Sequence, residues 1–448
     1  MSLRKISFYL VLFCLLWFPF QDFVISLLYR YWPQRELFFL LIMKEMIILL
    51  AIMILILYKF FLGKFKISHI HIEILSFTFF LICLIHLLVI RVEGTTITAI
   101  FTSFRTLLLP MVLVLVGKWL RLDKKEIKAL VNVIISISIA SVIFGLIEIV
   151  IPVEKFWNGI CNLYGYLRDI KGLPSHHFVN YVPGNFWGHT IPRRMASFFG
   201  SPLTMSYYLI LSILLVFQLK KNKFGILNLH LLVIFVGLLL TETRMAIIAV
   251  ILGILLSSLD IRRSFLFFKI NKRFLLYLSS FIFIFSILFI FYGKVRDFFI
   301  KTFTVEEGRA IGHLTALESG IKNVIDNIEE FVLLGKGIGK AGAWSGLGGA
   351  TVKSLASENA YLPIIAQIGG IGLLVFLLWW CTVYYSLRSK GLRIEGDDAY
   401  FNRIIKGLLV ANVVYFLTGI VSEQILAFTS VAHFWILTGA VLGMRNKE

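Results

Sequence analysis

Residues 357–380, SENAYLPIIAQIGGIGLLVFLLWW, join a polar segment to a long apolar run. Residues 293–372 form the longest water-compatible stretch of the chain, and a predicted membrane helix follows it directly. Glu358 and Asn359 stand immediately before the apolar residues. An acid at the mouth of a bilayer helix is costly unless it has a partner or a chemical role. We therefore expect the rest of the chain to form a membrane frame around this mouth.

The composition excludes an ordinary soluble protein. The chain has 448 residues, of which 59% are hydrophobic and 15% charged, whereas soluble domains carry about 25% charged residues. Its net charge of +19 does not indicate nucleic-acid binding, because the cations lie between apolar runs in the pattern of membrane topology. The four cysteines form no CxxC pair, so we expect neither a disulfide framework nor a zinc site.

Runs of roughly 20 apolar residues cross a bilayer core. Such runs predict an all-α polytopic membrane protein with about 12 transmembrane helices, forming one membrane domain over residues 1–448. The predicted spans are 6–20, 37–61, 72–90, 98–118, 128–151, 203–219, 226–240, 243–259, 274–292, 360–387, 403–420 and 426–443.

The loop charges predict the orientation of these spans. The segments RLDKKEIK, KKNK, DIRRSFLFFKINKR and RSKGLR are short and basic, which is typical of cytoplasmic loops. Both termini are then cytoplasmic. Two long extracytoplasmic loops, 152–202 and 293–359, lie on the outer side.

Four arginines are predicted on the outer side or in the outer halves of spans: Arg105, Arg194, Arg244 and Arg309. A guanidinium grips phosphate through a planar fork of N–H donors, so several at one depth favour a diphosphate site. The alternative is that each snorkels or pairs with a nearby acid, as Arg244 could with Glu242.

Glu358 is the leading candidate for a catalytic base. A carboxylate at a helix mouth can take the proton of an attacking sugar hydroxyl. The alternative is that Glu358, with Ser357, caps the helix that follows. Asn359 could orient Glu358, hold a sugar hydroxyl or act as a cap itself. His313, four residues after Arg309, is the second candidate base, although a lone histidine there is more often a surface residue.

The two long loops have further features that we weigh as weaker signals. The first is rich in aromatic residues, including Tyr164 and Tyr181, which suit either sugar faces or the membrane interface. Its histidines fit no standard metal spacing, so we expect no metal. In the second, Gly337, Gly339 and Gly342 spell GxGxxG without a surrounding strand–helix–strand pattern. We therefore expect a flexible loop over a groove and no nucleotide.

The order of four segments resembles a known family. RMASFFGSPLTMSYYLILS, LLTETRMAIIAVILGILL, Arg309 followed by LLGKGIGK, and ENAYLPIIAQIGGIGLLVF occur over residues 190–385. Together they resemble the superfamily of O-antigen ligases and Wzy-type polymerases of O-antigen and capsular polysaccharide. Arg309 also precedes Gly320 by the ten-residue separation common in that family.

The resemblance implies roles for particular residues. Arg194, Arg244 and Arg309 match arginines that bind the lipid diphosphate or glycan, while Arg105 lies outside the matched region. Glu358 stands where the ligases usually carry histidine before asparagine, which favours a polymerase. The implied activity is a glycosyltransferase without cofactor or metal, located in the bacterial cytoplasmic (inner) membrane. Its implied partners are the polyprenyl-diphosphate-linked glycan, membrane lipids, a flippase and a chain-length regulator.

Two alternatives remain open at this point. One is a ligase that moves finished glycan to lipid A core, a protein or a wall polymer. The other, from a different class, is a transporter or flippase, which should show internal repeats and charged or broken helices near the midplane. Lys44, Glu45 and Glu148 are the sequence's few candidates for such charges.

Overall fold

A computed structural model of the chain describes the residues that form most of the membrane frame. The described residues are 3–32, 34–61, 70–90, 94–173, 178–187, 193–220, 226–258, 318, 322, 335–342, 359–393 and 398–445. The predicted span 274–292 and most of the loop 293–359 fall outside them. Arg309, His313 and Glu358 also fall outside.

The described residues fold almost entirely into apolar helices. The helices are α1 Leu3–Leu28, α2 Gln34–Phe61, α3 Ile70–Val89, α4 Ile97–Trp119, α5 Lys124–Val150, α6 Pro202–Leu219, α7 Ile226–Leu240, α8 Arg244–Ser258, α9 Tyr361–Arg393, α10 Ala399–Thr418 and α11 Phe428–Leu442. Eight are long and apolar enough to cross a membrane, while α7, α8 and α11 are shorter. The prediction of a helical polytopic membrane protein is confirmed at this level, and the count of twelve stays a prediction.

The first helix is longer than the sequence suggested. The predicted first span is 6–20, and the polar pair Gln21 and Asp22 directly follows it. In the structure α1 continues to Leu28 with Pro19 inside it. The polar side chains are tolerated since both have partners, Gln21 with Lys44 and Asp22 with Lys171.

Local signals explain where several helices begin. The Asp123 side chain accepts a hydrogen bond from Glu126 N, and the Glu126 side chain accepts one from Asp123 N, a capping box that starts α5. Asp398 caps α10, and Ser201 caps α6 with Pro202 at the first helical position.

Glycines set the closest helix contact, between α4 and α11. A Cβ built on Gly439 would lie 2.1 Å from Val114 O, and one built on Gly117 would lie 2.3 Å from Ile436 O. Small residues let membrane helices approach until their backbones touch. This contact centres the main hydrophobic core on α4, α6, α10 and α11.

Both termini lie at the same face of the bundle. Arg4 Nη1 lies 2.6 Å from Glu126 Oε2, and Arg445 N donates to Leu122 O at 3.2 Å. Residues 151–173, 178–187, 193–201, 241–243 and 419–427 lie at the opposite ends of the helices, and we call that side the distal face. It corresponds to the side predicted as outer.

The first long loop has a small core of its own on the distal face. Trp157, Tyr166 and Phe186 are its largest fully buried side chains. Short helical turns at Lys155–Ile160, Leu163–Gly165 and Tyr166–Ile170 surround them. A two-stranded hairpin follows, in which β1 Phe178–Val179 pairs antiparallel with β2 Val182–Pro183.

Candidate functional site

Two of the predicted site arginines, Arg194 and Arg244, come together on the distal face. The Arg194 side chain donates from Nε to Thr241 O at 2.6 Å and from Nη2 to Thr243 Oγ1 at 2.8 Å. Arg194 is 9% exposed, so its charge lies largely out of water. Arg244 follows Thr243 directly as the first residue of α8.

The backbone explains why this turn is compact. Arg194 N donates to Phe186 O at 2.8 Å and Met195 N to Leu240 O at 2.9 Å, which fixes the first long loop against the end of α7. Glu242 has a left-handed backbone with φ 47°, an uncommon conformation for a side chain of this kind. The resulting turn brings a guanidinium next to the N-terminus of α8. Helix N-termini favour anions, so the combination suits a phosphate group.

Arg105 lies elsewhere in the bundle. Its Nη1 is 2.6 Å from Glu45 Oε1, which joins α4 to α2. Lys44 Nζ is 3.8 Å from the same carboxylate oxygen and donates to Gln21 Oε1 at 2.7 Å. Arg105 therefore pairs with a nearby acid, which is the alternative considered for each single arginine.

An acid near the distal end of α1 extends this set of charges. Lys171 Nζ donates to Asp22 Oδ2 at 2.8 Å, and the Tyr166 hydroxyl donates to Asp22 Oδ1 at 2.7 Å. Burial raises the pKa of Tyr166 well above its usual value, so the phenol stays a hydrogen-bond donor. Sequence reasoning missed this cluster, although two polar residues directly after an apolar run could have signalled it.

A buried ion pair fixes the base of the first long loop. Arg193 pairs with Glu148 at the end of α5, and its Nη1 donates to Ile151 O at 2.5 Å. The Glu148 carboxylate also accepts from Trp157 Nε1 at 2.7 Å and Ser197 N at 2.7 Å. Burial lowers the pKa of the Arg193 guanidinium, while Glu148 opposes that shift. The ion pair thus gives Glu148 a structural role. Sequence reasoning singled out Arg194 but not the neighbouring Arg193.

Helix α9 is broken about a quarter of the way along. Gly369 has φ 74° and ψ 176°, which no helix contains. The second-loop segment 335–342 packs against the break: Lys336 N donates to Ala366 O at 2.7 Å and Gly337 N to Gln367 O at 3.1 Å. Gly339 N adds a bond to Gln367 Oε1 at 2.8 Å. Non-helical backbone at this depth needs such internal partners.

Two features of that segment bear on the sequence interpretation. The GxGxxG glycines serve contacts within the protein, because a Cβ on Gly339 would lie 2.8 Å from Thr95 Cγ2. A narrow cleft lies beside these glycines, while the flexible loop over a groove stays a prediction. The cleft is lined by Ser103, Thr106, Leu107, Ala341, Gly342, Pro363, Gln367, Glu423 and Leu426.

Glu423 is a carboxylate that sequence reasoning missed. It lies between α10 and α11, and a Cβ built on Gly342 would be 3.2 Å from its Oε1. Asn359 lies just before the first residue of α9. Its Oδ1 accepts from Tyr361 N at 2.6 Å and Leu362 N at 3.0 Å, and its Nδ2 donates to Ile420 O at 2.7 Å. The amide therefore caps α9, and its proposed contact with a sugar hydroxyl stays a prediction.

The described ranges hold no group of three His, Cys, Asp or Glu side chains that could bind a metal ion. In comparisons with known proteins, no family profile and no curated protein matches this chain. The class is defined by the helices alone: a helical, multi-pass membrane protein with a buried arginine on its distal face.

Proposed function

We propose that the protein is a polysaccharide polymerase of the Wzy type. It would join polyprenyl-diphosphate-linked oligosaccharide repeat units at the outer face of the bacterial cytoplasmic membrane. The observation that carries this proposal is the buried Arg194, held by two hydrogen bonds on the turn that leads into Arg244. A buried guanidinium beside a helix N-terminus offers fixed positive charge to a diphosphate.

The reaction is an inverting glycosyl transfer. A hydroxyl of the acceptor repeat unit attacks the anomeric carbon of the donor, and its proton passes to the base. The bond from that carbon to the diphosphate oxygen breaks, and the electron pair leaves with the diphosphate. Arg194, Arg244 and Arg309 stabilise the charge that develops there. Glu358 is the proposed base, and His313 is the second candidate. Both rest on the sequence, as does Arg309.

The experiment uses purified full-length protein and a lipid-linked repeat unit, without ATP or added metal. A ladder of products supports the polymerase. Glu358→Gln should abolish the ladder, whereas Glu318→Gln, at an exposed position of the same loop, should not. An undiminished ladder in Glu358→Gln removes the proposed base.

A ligase remains the alternative within the same chemistry. It would use the same diphosphate site but transfer the glycan to lipid A core, a protein or a wall polymer. The same assay separates the two, because a ligase forms no product until a second, different acceptor is added.

Two observations favour a transporter, the rival from another class. The break of α9 at Gly369, and the buried Lys44 with the half-buried Glu45 and Arg105, are features that transporters use near the midplane. A transporter would move the lipid-linked glycan between leaflets of a vesicle without forming a glycosidic bond. That result would overturn both enzyme proposals.

We also propose that the face carrying both termini is cytoplasmic. The shared face of the termini carries Lys124, Lys390 and Arg403, in line with a cytoplasmic side. A fluorescent protein fused to the C-terminus should then fold and fluoresce, and alkaline phosphatase fused within residues 152–202 should be active.

A further inference from the structure

A second concave surface lies in the first long loop, away from the buried arginine. It has a volume of about 520 Å³, within the range of roughly 300–1,000 Å³ usual for ligand pockets. Its lining side chains are hydroxyl, amide, carboxylate and aromatic groups. We name it the Tyr164–Tyr181 depression, and it is lined by Glu154, Asn158, Asn162, Tyr164, Asn180 and Tyr181.

Two aromatic rings form its apolar part. The rings of Tyr164 and Tyr181 lie edge to face, with centroids 5.2 Å apart and planes at 85°. Phe178 packs edge-on against Tyr164 at 4.9 Å, which holds that ring. An aromatic face is apolar and electron-rich, so it complements the C–H face of a sugar ring.

The backbone of Tyr181 is strained although most of its side chain is exposed. Asn180 and Tyr181 have φ of 50° and 61°, the left-handed conformation that asparagine tolerates and tyrosine rarely adopts. Tyr181 is nevertheless 67% exposed, so burial of the ring does not explain the strain. The hairpin pairing and a hydrogen bond from Asn158 Nδ2 to Tyr181 O at 2.8 Å maintain it. Strain kept at an exposed aromatic residue indicates a binding role.

Two side chains of the depression offer acceptor oxygens to a ligand. Asn158 Oδ1 is buried and has no hydrogen-bond partner among the residues that the structure describes. The carboxylate of Glu154 accepts only. Sugar hydroxyls donate to such oxygens, and an unmatched buried acceptor costs free energy until it receives a donor.

The charge of the lining distinguishes this surface from a phosphate site. Its one ionisable acid, Glu154, is negative, and no lysine or arginine is among the lining residues. Two described arginines flank the lining, and both have partners. Arg30 Nη2 donates to Asn158 O at 3.1 Å, while Arg168 lies over the Tyr164 ring at 5.0 Å and donates to Asp169. A diphosphate would meet a carboxylate here, whereas a neutral saccharide would not be repelled.

We propose that the Tyr164–Tyr181 depression is a binding subsite for a neutral saccharide. Stacking on Tyr181 and hydroxyl donation to Asn158 and Glu154 hold the sugar. The identification of that sugar as part of a growing glycan rests on the proposed function. The binding itself does not, since it needs no lipid, diphosphate or chemical step.

The test measures binding of free oligosaccharides to the full chain in lipid nanodiscs by saturation-transfer NMR. The probes are maltotetraose, cellotetraose, mannotetraose and chitotetraose, with tetragalacturonate as the acidic comparison. Saturable binding of at least one neutral probe is expected, with the acidic probe weaker. If no neutral probe binds saturably, the proposal is wrong.

Tyr181→Gly separates a binding role from a structural one. It converts the turn to Asn-Gly, the sequence that this left-handed hairpin turn prefers, so the melting temperature should stay equal or rise. Binding should weaken about tenfold or more. Tyr31→Gly is the matched control, because Tyr31 is 72% exposed on another turn and should leave binding unchanged.

Two further outcomes would overturn the subsite. One is unchanged saccharide binding in Tyr181→Gly. The other is displacement of the saccharide by glycerophosphoethanolamine at lower concentration than by any sugar, which would make the depression a lipid-headgroup site. The ladder assay can fail while saccharide binding persists. Failure of the proposed function can therefore be distinguished from failure of the saccharide subsite.

Discussion

Arg193 and Glu148 form a buried ion pair that ties the first long loop to the end of α5. Glu148 is fully buried and Arg193 is 5% exposed, and the carboxylate also accepts from Trp157 and the backbone. The pair lies one residue from the buried Arg194. It therefore positions the proposed diphosphate site as well as the fold of the loop.

Removing one member of this pair should destabilise the protein strongly. Glu148→Ala or Arg193→Ala leaves an uncompensated buried charge, which costs about 3–5 kcal/mol. Thermal melting of the detergent-purified protein measures the loss. The double variant Glu148→Leu/Arg193→Met should lose less than the sum of the two single changes. Lys155→Ala, an exposed change in the same loop, is the control, and wild-type melting of both single variants would contradict this prediction.

The break in α9 should depend on Gly369. At φ 74° and ψ 176° a Cβ is strained, so Gly369→Ala should cost about 1–3 kcal/mol. It should also lower transfer activity, because the segment 335–342 docks on the broken turn. Leu374→Ala, at an exposed position in the regular part of α9, should change stability by less than about 0.5 kcal/mol. Equal melting temperatures and activities for the two variants would show that the break does not need glycine.

The α4–α11 contact should tolerate no side chain. In Gly439→Ala the added Cβ would lie 2.1 Å from Val114 O, so the two helices must move apart. We expect a loss of about 3 kcal/mol or more in unfolding free energy. Phe101→Leu, a change on the lipid-facing side of α4, should alter stability by less than about 0.5 kcal/mol. Folding of Gly439→Ala at wild-type stability would contradict the close approach.

Arg194→Lys should keep the charge and lose the activity. A lysine cannot make both hydrogen bonds that Nε and Nη2 make to Thr241 O and Thr243 Oγ1. We expect transfer to fall about tenfold or more, a difference of roughly 1.4 kcal/mol. Binding of polyprenyl diphosphate should weaken in parallel.

Arg168→Lys is the matched control for this change, because Arg168 is an exposed arginine of the same loop. It should transfer and bind at the wild-type level. Stability loss in Arg194→Lys with unchanged diphosphate affinity would assign Arg194 a structural role only.

Cys161 should report on the fold of the first loop. Burial raises the pKa of its thiol to about 11, so at pH 8 only about one molecule in a thousand carries the reactive thiolate. In a variant that keeps Cys161 alone, alkylation by iodoacetamide should be slow and should rise about tenfold per pH unit below 11. Denaturation should bring the rate to that of free cysteine. A fast rate in the folded protein would contradict the burial of this thiol.

The lengths of the apolar runs predicted the helices well and their ends less well. Eleven of the twelve predicted spans coincide with described helices. The end of α1 was wrong, because Gln21 and Asp22 are acceptable in a helix only when partners from α2 and the first loop satisfy them. No local pattern shows such partners.

For the candidate site, the sequence placed Arg194 and Arg244 on one face, and the fold brings them to one turn. It also grouped Arg105 with them, yet Arg105 lies between α4 and α2 beside Glu45. Glu423 and Arg193 were missed, since their relevance comes from segments distant in sequence.

The sequence by itself determined that this chain is a helical membrane protein, because the hydrophobic effect and backbone hydrogen bonding act over each span separately. It also determined the basic face, since loop charges are local. Only the tertiary structure decided which charges are paired, where α9 breaks and that Asn359 caps it. Those outcomes depend on contacts between residues far apart in the chain, such as Asn359 with Ile420 and Lys336 with Ala366.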